Sequence, residues 1–89
     1  MSDDIGLRRK RAAFRAAHRG TKEMDWLLGR YATARLDQMS EVELTQFEDL
    51  LDAADPELQN WILDLASIPD ERYAALVYEL RRFHGVPAV

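Results

Sequence analysis

An all-α fold, a compact bundle of five helices in a single domain, is predicted by three features of the sequence. Apolar residues recur at three- and four-residue spacing along the chain, and nowhere alternate at period two for long enough to make a strand. Helix-start and helix-stop residues punctuate that pattern and leave loops of about two to five residues, so neighbouring helices should pack antiparallel or at steep angles. Finally, 89 residues fill only one core, since chains divide into separate domains at roughly twice this length or more. Cysteine is absent, which removes disulfides and thiolate metal sites as supports and leaves packing to hold the domain.

The first helix is expected over about residues 5–18, with Leu7, Phe14 and Ala17 as its few apolar contacts in an Arg-rich surface. So thin a stripe places it at one end of the domain with much of its surface free. Gly20 adopts φ > 0 and closes this helix, and Thr21 caps the next. Helix two follows over about residues 22–36, with Met24, Leu27, Leu28 and Tyr31 facing inward; Glu23 and Asp25 suit the positive end of its dipole. Gly29 within it costs about 1 kcal/mol relative to Ala unless another helix comes close.

Ser40 with Glu43 three residues later is a capping-box signature that starts helix three, whose inward stripe is Leu44, Phe47, Leu50, Leu51 and Ala54. Asp55-Pro56 reads as an N-cap followed by proline at N1. Helix four then buries Leu58, Trp61, Ile62 and Leu65, with Trp61 as the largest contributor to the core. Pro69, Asp70 and Glu71 restart the chain as helix five, carrying Tyr73, Leu76, Val77, Leu80 and Phe83 inward until Gly85 and Pro87 end it. The expected core spans about residues 7–84, with flexible ends at 1–4 and 86–89.

The net charge of -4 conceals a division along the chain. Residues 1–35 hold nine Lys/Arg against four Asp/Glu, a balance of +5, and residues 36–89 hold three against twelve, a balance of -9. The basic stripe of Arg8, Arg9, Lys10, Arg11 and Arg15 has three readings: a solvated helix face, a surface for an anionic protein partner, or one for nucleic acid or membrane. A pI near 5.1 argues against nucleic acid, whose phosphates normally select domains that are basic throughout. No run of 18 apolar residues exists and the mean hydropathy is -0.38, so a membrane-inserted chain is not expected. The N-terminus lacks the apolar stretch of a secretory signal, and Asp3 and Asp4 do not suit a mitochondrial presequence.

Chemistry-bearing patterns are few. Glycine stands only at positions 6, 20, 29 and 85, so no glycine-rich loop cradles phosphates and no cofactor of the chain's own is expected. His18 and His84 are the only imidazoles, far apart and without metal-ligand spacing. Glu48 and Asp52 share a face of helix three at i, i+4, but no nucleophile or hydrophobic carboxylate pocket accompanies them, and they read as a solvated acidic face. The chain is not expected to be an enzyme.

The segment Arg19-Gly20-Thr21-Lys22-Glu23-Met24-Asp25 is a helix–turn–helix corner charged at nearly every position. It resembles the R-G-x-x-E-[ML]-D signature of the succinate dehydrogenase FAD assembly (flavinylation) factors, small helical proteins. The Arg-rich helix before it, the apolar helix after it, and Asp55-Pro56-Glu57-Leu58 with Trp61 also look like that family, so the resemblance covers about residues 7–84. It implies a chaperone-like factor that binds the flavoprotein subunit of succinate dehydrogenase, with fumarate reductase as an alternative target, and promotes covalent FAD attachment on that partner, without catalysing it. Carried over by position, Arg19, Gly20, Glu23 and Asp25 match the family's fixed residues, Met24 takes its apolar place, and His18 precedes the motif. The implied partner-binding set is Arg19, Gly20, Thr21, Lys22, Glu23 and Asp25, flanked by Arg8, Arg11, Arg15, His18 and Trp26.

Physical reasons accompany these assignments. Glycine at position 20 lets another backbone approach closely. Arg19 offers a planar fork to carboxylates or carbonyls of the partner, with Glu23 either holding it or accepting across the interface. Asp25 is read as a local brace, and Trp26, off the inward stripe, as an anchor against helix one or a contact residue. Two other function classes stay open: a small regulatory protein gripping nucleic acid through Arg8, Arg9, Lys10 and Arg11, and an antitoxin-like protein whose acidic middle faces a basic partner. A monomer is expected, in the bacterial cytoplasm rather than the mitochondrial matrix, because the signature begins too early to leave room for a cleaved presequence.

Overall fold

Helix α1 (Ile5–Ala17) begins where the Asp4 carboxylate accepts the Gly6 N–H at 2.9 Å. A computed structural model of the chain describes residues 4–64 and 66–86. Four more helices follow: α2 (Lys22–Arg35), α3 (Glu41–Leu51), α4 (Asp55–Leu63) and α5 (Ala74–Phe83). Short 3-10 turns at Leu36–Gln38 and Glu71–Tyr73 lead out of α2 and into α5. No strand occurs among the described residues, and the fold is the five-helix, single-domain bundle expected. Its radius of gyration is 12.7 Å, close to the about 12 Å typical of a globule of this length.

The start signals act as the sequence suggests. The Thr21 hydroxyl accepts the Met24 N–H at 3.2 Å. At Ser40 both arms of the capping box close, the hydroxyl accepting from Glu43 N–H at 3.1 Å and the Glu43 carboxylate from Ser40 N–H at 2.8 Å. Gly20 has φ +116° and Gly85 φ +74°. At the second of these, Gly85 N–H donates to the Arg82 carbonyl and Val86 N–H to the Arg81 carbonyl, a Schellman closure of α5. Of the ends expected to be flexible, Asp4 and Val86 carry these bonds, and residues 1–3 and 87–89, with Pro87, lie outside the described residues.

The core is built by α2 and α3. Met24, Leu27, Leu28 and Tyr31 of α2 and Leu44, Phe47, Leu50 and Leu51 of α3 are buried, with Leu58, Ile62, Val77 and Leu80 added from α4 and α5. Three expectations need correction. Leu7 and Phe14 face solvent, Phe14 being 64% exposed, and α1 instead buries Ala12 and Ala16. Small residues there let α1 lie close on α2, where a Cβ on Gly29 would come within 3.4 Å of Ala17 Cα. Trp61 is only half-buried, its ring 5.9 Å from that of Tyr73, and Tyr31 and Phe47 are the largest side chains sealed in the core. Ala54 does not extend the α3 stripe: it is exposed and serves as the N-cap of α4, one residue ahead of Asp55. Leu65 lies outside the described residues.

The charge division in the sequence becomes a ladder between α1 and the acidic elements after it. Arg8 donates to Glu48 at 2.7 Å, to Thr45 at 3.0 Å and to Glu41 at 3.3 Å. Arg15 donates to Asp52 at 2.6 Å, and Arg19 to Asp55 at 2.8 Å. The rungs climb in the same direction on both sides, so α1 and α3 run parallel, as they must when α2 returns between them. Glu48 and Asp52, read from sequence as a solvated face, are the acceptors of this ladder.

Candidate functional site

The corner between α1 and α2 is fixed at both sides of an open glycine. Arg19 uses its guanidinium as a three-way clamp: Nε donates to Asp55 at 2.8 Å, Nη1 to the Leu51 carbonyl at 2.7 Å and Nη2 to the Ala53 carbonyl at 3.0 Å. A cation is well placed here, against the carbonyls that α3 leaves unpaired at its C-terminal end. The Arg19 N–H also donates to the Asp25 carboxylate, which gives Asp25 the brace role expected of it. Beyond Gly20, Thr21 caps α2 with its hydroxyl and its carbonyl accepts the Asp25 N–H at 3.0 Å. A Cβ on Gly20 would meet no atom of this chain within 4 Å.

Two of these contacts differ from the sequence reading. The Arg19 side chain is only 11% exposed, its fork filled by groups of its own chain. Glu23 accepts from Gln59 Nε2 of α4 at 2.7 Å rather than holding Arg19. Asp55 therefore serves Arg19 instead of capping α4, which explains why the cap falls on Ala54 without a side-chain bond. Asp55 and Gln59 are the residues sequence reasoning missed at this corner. Their signal was the second resembling segment, which the fold sets directly against the first.

The flanking candidates separate into two groups. Arg8 and Arg15 turn toward α3 as rungs of the ladder. Arg9, also counted in the basic stripe, donates to the Met39 carbonyl at 2.8 Å. Arg11, by contrast, is exposed together with Lys10 and Lys22, and among the described residues these three make no hydrogen bond or ion pair. His18 stacks on Phe14 with ring centroids 4.0 Å apart and its Nδ1–H donates to the Phe14 carbonyl at 2.8 Å. The helical spacing of Arg11, Phe14 and His18 puts them on one outward side of α1.

Trp26 is 52% exposed. Its ring lies 5.0 Å from that of His84, and the Arg30 guanidinium sits 5.5 Å from its centre. With Ala17, Gly29, Thr33 and Phe83 it lines a groove of about 620 Å³ beside the corner. Its anchor is thus the end of α5, where His84 Nε2–H donates to the Leu27 carbonyl at 2.7 Å. Phe14 and Arg30 join the sequence candidates on this side. An alternative small-residue stripe, Ala12 with Ala16, was the sign that Phe14 belongs outside.

No group of acidic or imidazole residues that could hold a metal ion occurs among the described residues. No helix of the described residues is long and apolar enough to cross a membrane.

Comparison with known proteins gives a consistent result. Residues 10–84 match a protein family described as flavinator of succinate dehydrogenase. The chain is 43% identical over 70 residues to a protein of Acetobacter pasteurianus named FAD assembly factor SdhE, the match covering 79% of this chain and 64% of that protein. It is 38% identical over 68 residues to a Dictyostelium discoideum protein named succinate dehydrogenase assembly factor 2, mitochondrial, covering 76% and 48%. With a Xylella fastidiosa protein also named FAD assembly factor SdhE it shares 35% identity over 65 residues, covering 73% and 67%. The chain thus spans between about half and two thirds of the length of these relatives.

Proposed function

The chain belongs to the flavinator of succinate dehydrogenase family, and we propose that it binds the flavoprotein subunit of that enzyme before assembly and promotes covalent attachment of FAD to it. On this reading the flavin is the partner's, and bond formation occurs in the partner's own site. This chain contributes a surface that favours the competent conformation.

The observation that carries the reading is the corner itself. Gly20 stands with open backbone between two anchored neighbours, in the segment on which the resemblance rests. A rigid bend with nothing above it suits close approach by another chain, because its ordering has already taken place before binding. Around it lie the Phe14–His18 stack and the half-exposed Trp26, aromatic groups common at the centre of interfaces, and exposed cations at Lys10, Arg11 and Lys22 that suit a polar rim. The matching patch on the flavoprotein subunit is therefore acidic at its rim, with room for aromatic rings. Of the four residues a nucleic-acid reading would use, Arg8 and Arg9 already bond within the chain, which leaves too few outward cations for a phosphate-dominated grip.

The purified chain is expected to co-elute with the isolated flavoprotein subunit in its flavin-poor form, and to release the subunit once flavin is attached. Failure to co-elute with the flavin-poor form at micromolar concentrations would refute this function.

A further inference from the structure

We propose that Asp55, at the start of α4, is a positioning residue for the docking corner and acts on it through Arg19. The inference rests on the functional reading above, but its physical part stands on the geometry alone. Arg19 is the corner residue whose side chain ties it to the junction of α3 and α4. The guanidinium reaches 36 positions along the sequence to Asp55, and on the way donates to the carbonyls of Leu51 and Ala53.

Leu51 is the last residue of α3, Ala53 lies two residues beyond it, and Asp55 opens α4, so the clamp is set across the α3–α4 junction. Main-chain carbonyls are present whatever the side chains are. Asp55 is the only charged acceptor in the clamp, half-buried with 24% of its side chain exposed, and it is the member a substitution can remove. The charge-assisted bond at 2.8 Å is accordingly the element that selects this rotamer of Arg19. With the side chain fixed, the Arg19 N–H is presented to Asp25, and Gly20 is held at φ +116° between two hydrogen-bonded neighbours.

Arg19 therefore does not meet the partner with its fork, which is already filled and largely enclosed. What the partner meets is the backbone that the fork arranges. Asp55 thereby shapes the docking backbone from another helix, through its bond to Arg19, and lines a groove with Thr21 and Met24. Loss of its charge should leave the helices in place and let the corner sample other conformations, reducing affinity without altering what happens once the complex has formed.

The test compares Asp55→Asn, Asp55→Glu and Ser40→Ala in the full chain. Ser40→Ala removes the α3 cap far from the corner and serves as the control for a general loss of stability. Exchange of the Arg19 amide, which is hydrogen-bonded to Asp25, is expected to quicken at least tenfold in Asp55→Asn and to return toward the wild-type rate in Asp55→Glu, while Ser40→Ala leaves it unchanged. Binding to the flavin-poor flavoprotein subunit should weaken about tenfold in Asp55→Asn, with the flavinylation rate at saturating chain unchanged, and recover in Asp55→Glu. Unchanged exchange of the Arg19 amide in Asp55→Asn would overturn the proposal. So would faster exchange with undiminished or tighter binding, which would mean that a released Arg19 is itself the contact. The exchange measurement requires no partner, so it decides the positioning role even if the wild-type chain fails to bind the subunit and the functional reading falls.

Discussion

Substitution at Gly20 separates the conformational demand of the corner from its contact with a partner. The residue stands at φ +116°, and a Cβ built there meets no atom within 4 Å. Gly20→Ala therefore removes no contact and introduces no clash; its cost is the left-handed backbone alone, about 1–2 kcal/mol. For a domain of this size each kcal/mol lowers Tm by about 4–8 °C, so the variant should melt roughly 4–16 °C below wild type and remain folded at 25 °C. Gly20→Glu bears the same backbone cost and sends its longer side chain into solvent, so its Tm should fall close to that of Gly20→Ala. The two differ only where another surface must approach. Covalent flavin on the co-produced dehydrogenase subunit, read by in-gel fluorescence, should drop sharply with Gly20→Glu and much less with Gly20→Ala. Undiminished flavinylation with Gly20→Glu would refute the docking face, and a wild-type Tm for Gly20→Ala would show that the corner does not impose a positive φ.

Two further predictions probe the scaffold beneath the corner. The Tyr31 hydroxyl donates to Glu79, and burial, reinforced by that carboxylate, raises its pKa above the ordinary tyrosine value of 10.0. The folded state then retains a proton that the unfolded chain releases, so the contribution is complete below about pH 10 and is lost as pH rises beyond it. Urea midpoints measured from pH 9 to 11 should fall more steeply for wild type than for Tyr31→Phe, and parallel curves would contradict the assignment. Gly29→Ala should stabilise the domain by about 0.5–1 kcal/mol, because the new methyl lies at ordinary contact distance from Ala17 while helix propensity improves. A lower melting temperature for this variant would mean that α1 and α2 have no room for even one methyl group.

The parts of the fold legible in sequence are those set by local chemistry. Ser40 with Glu43, Thr21 and Gly85 determine where helices begin and end through bonds to residues three or four positions away, and each acts in the structure as its type requires. The α2 stripe was equally clear, since Met24, Leu27, Leu28 and Tyr31 have no competing apolar face. Helix α1 was misread because it offers two stripes, large residues at Leu7 and Phe14 and small ones at Ala12 and Ala16. Size suggested the first, whereas close approach to Gly29 selects the second. Asp55 was misassigned for a related reason. Its local role as a cap is visible from its neighbours, but its partner stands 36 residues away and no periodicity points to it. At the site, the residue types at the corner were evident, and the inward course of Arg8, Arg15 and Arg19 was not, because a charge run does not reveal which of its members face an acidic helix.

That inward course changes what the charge asymmetry means. With only Ala12 and Ala16 fully buried, α1 gains little from apolar burial, about 25 cal/mol for each Å² removed from water. Something else must fix its register, and the ladder does so: rungs at Arg8, Arg15 and Arg19 each have a carboxylate at matching height. Unequal exposure ranks them. The Arg15–Asp52 pair is open to solvent and contributes little, whereas Arg8 and Arg19 are largely covered and bear most of the load. The last covered rung is the signature arginine, so the contact that terminates α1 in register is the same one that orders the bend. An acidic second half of the chain is thus the condition for presenting a basic first half in one orientation, with Lys10 and Arg11 left outward.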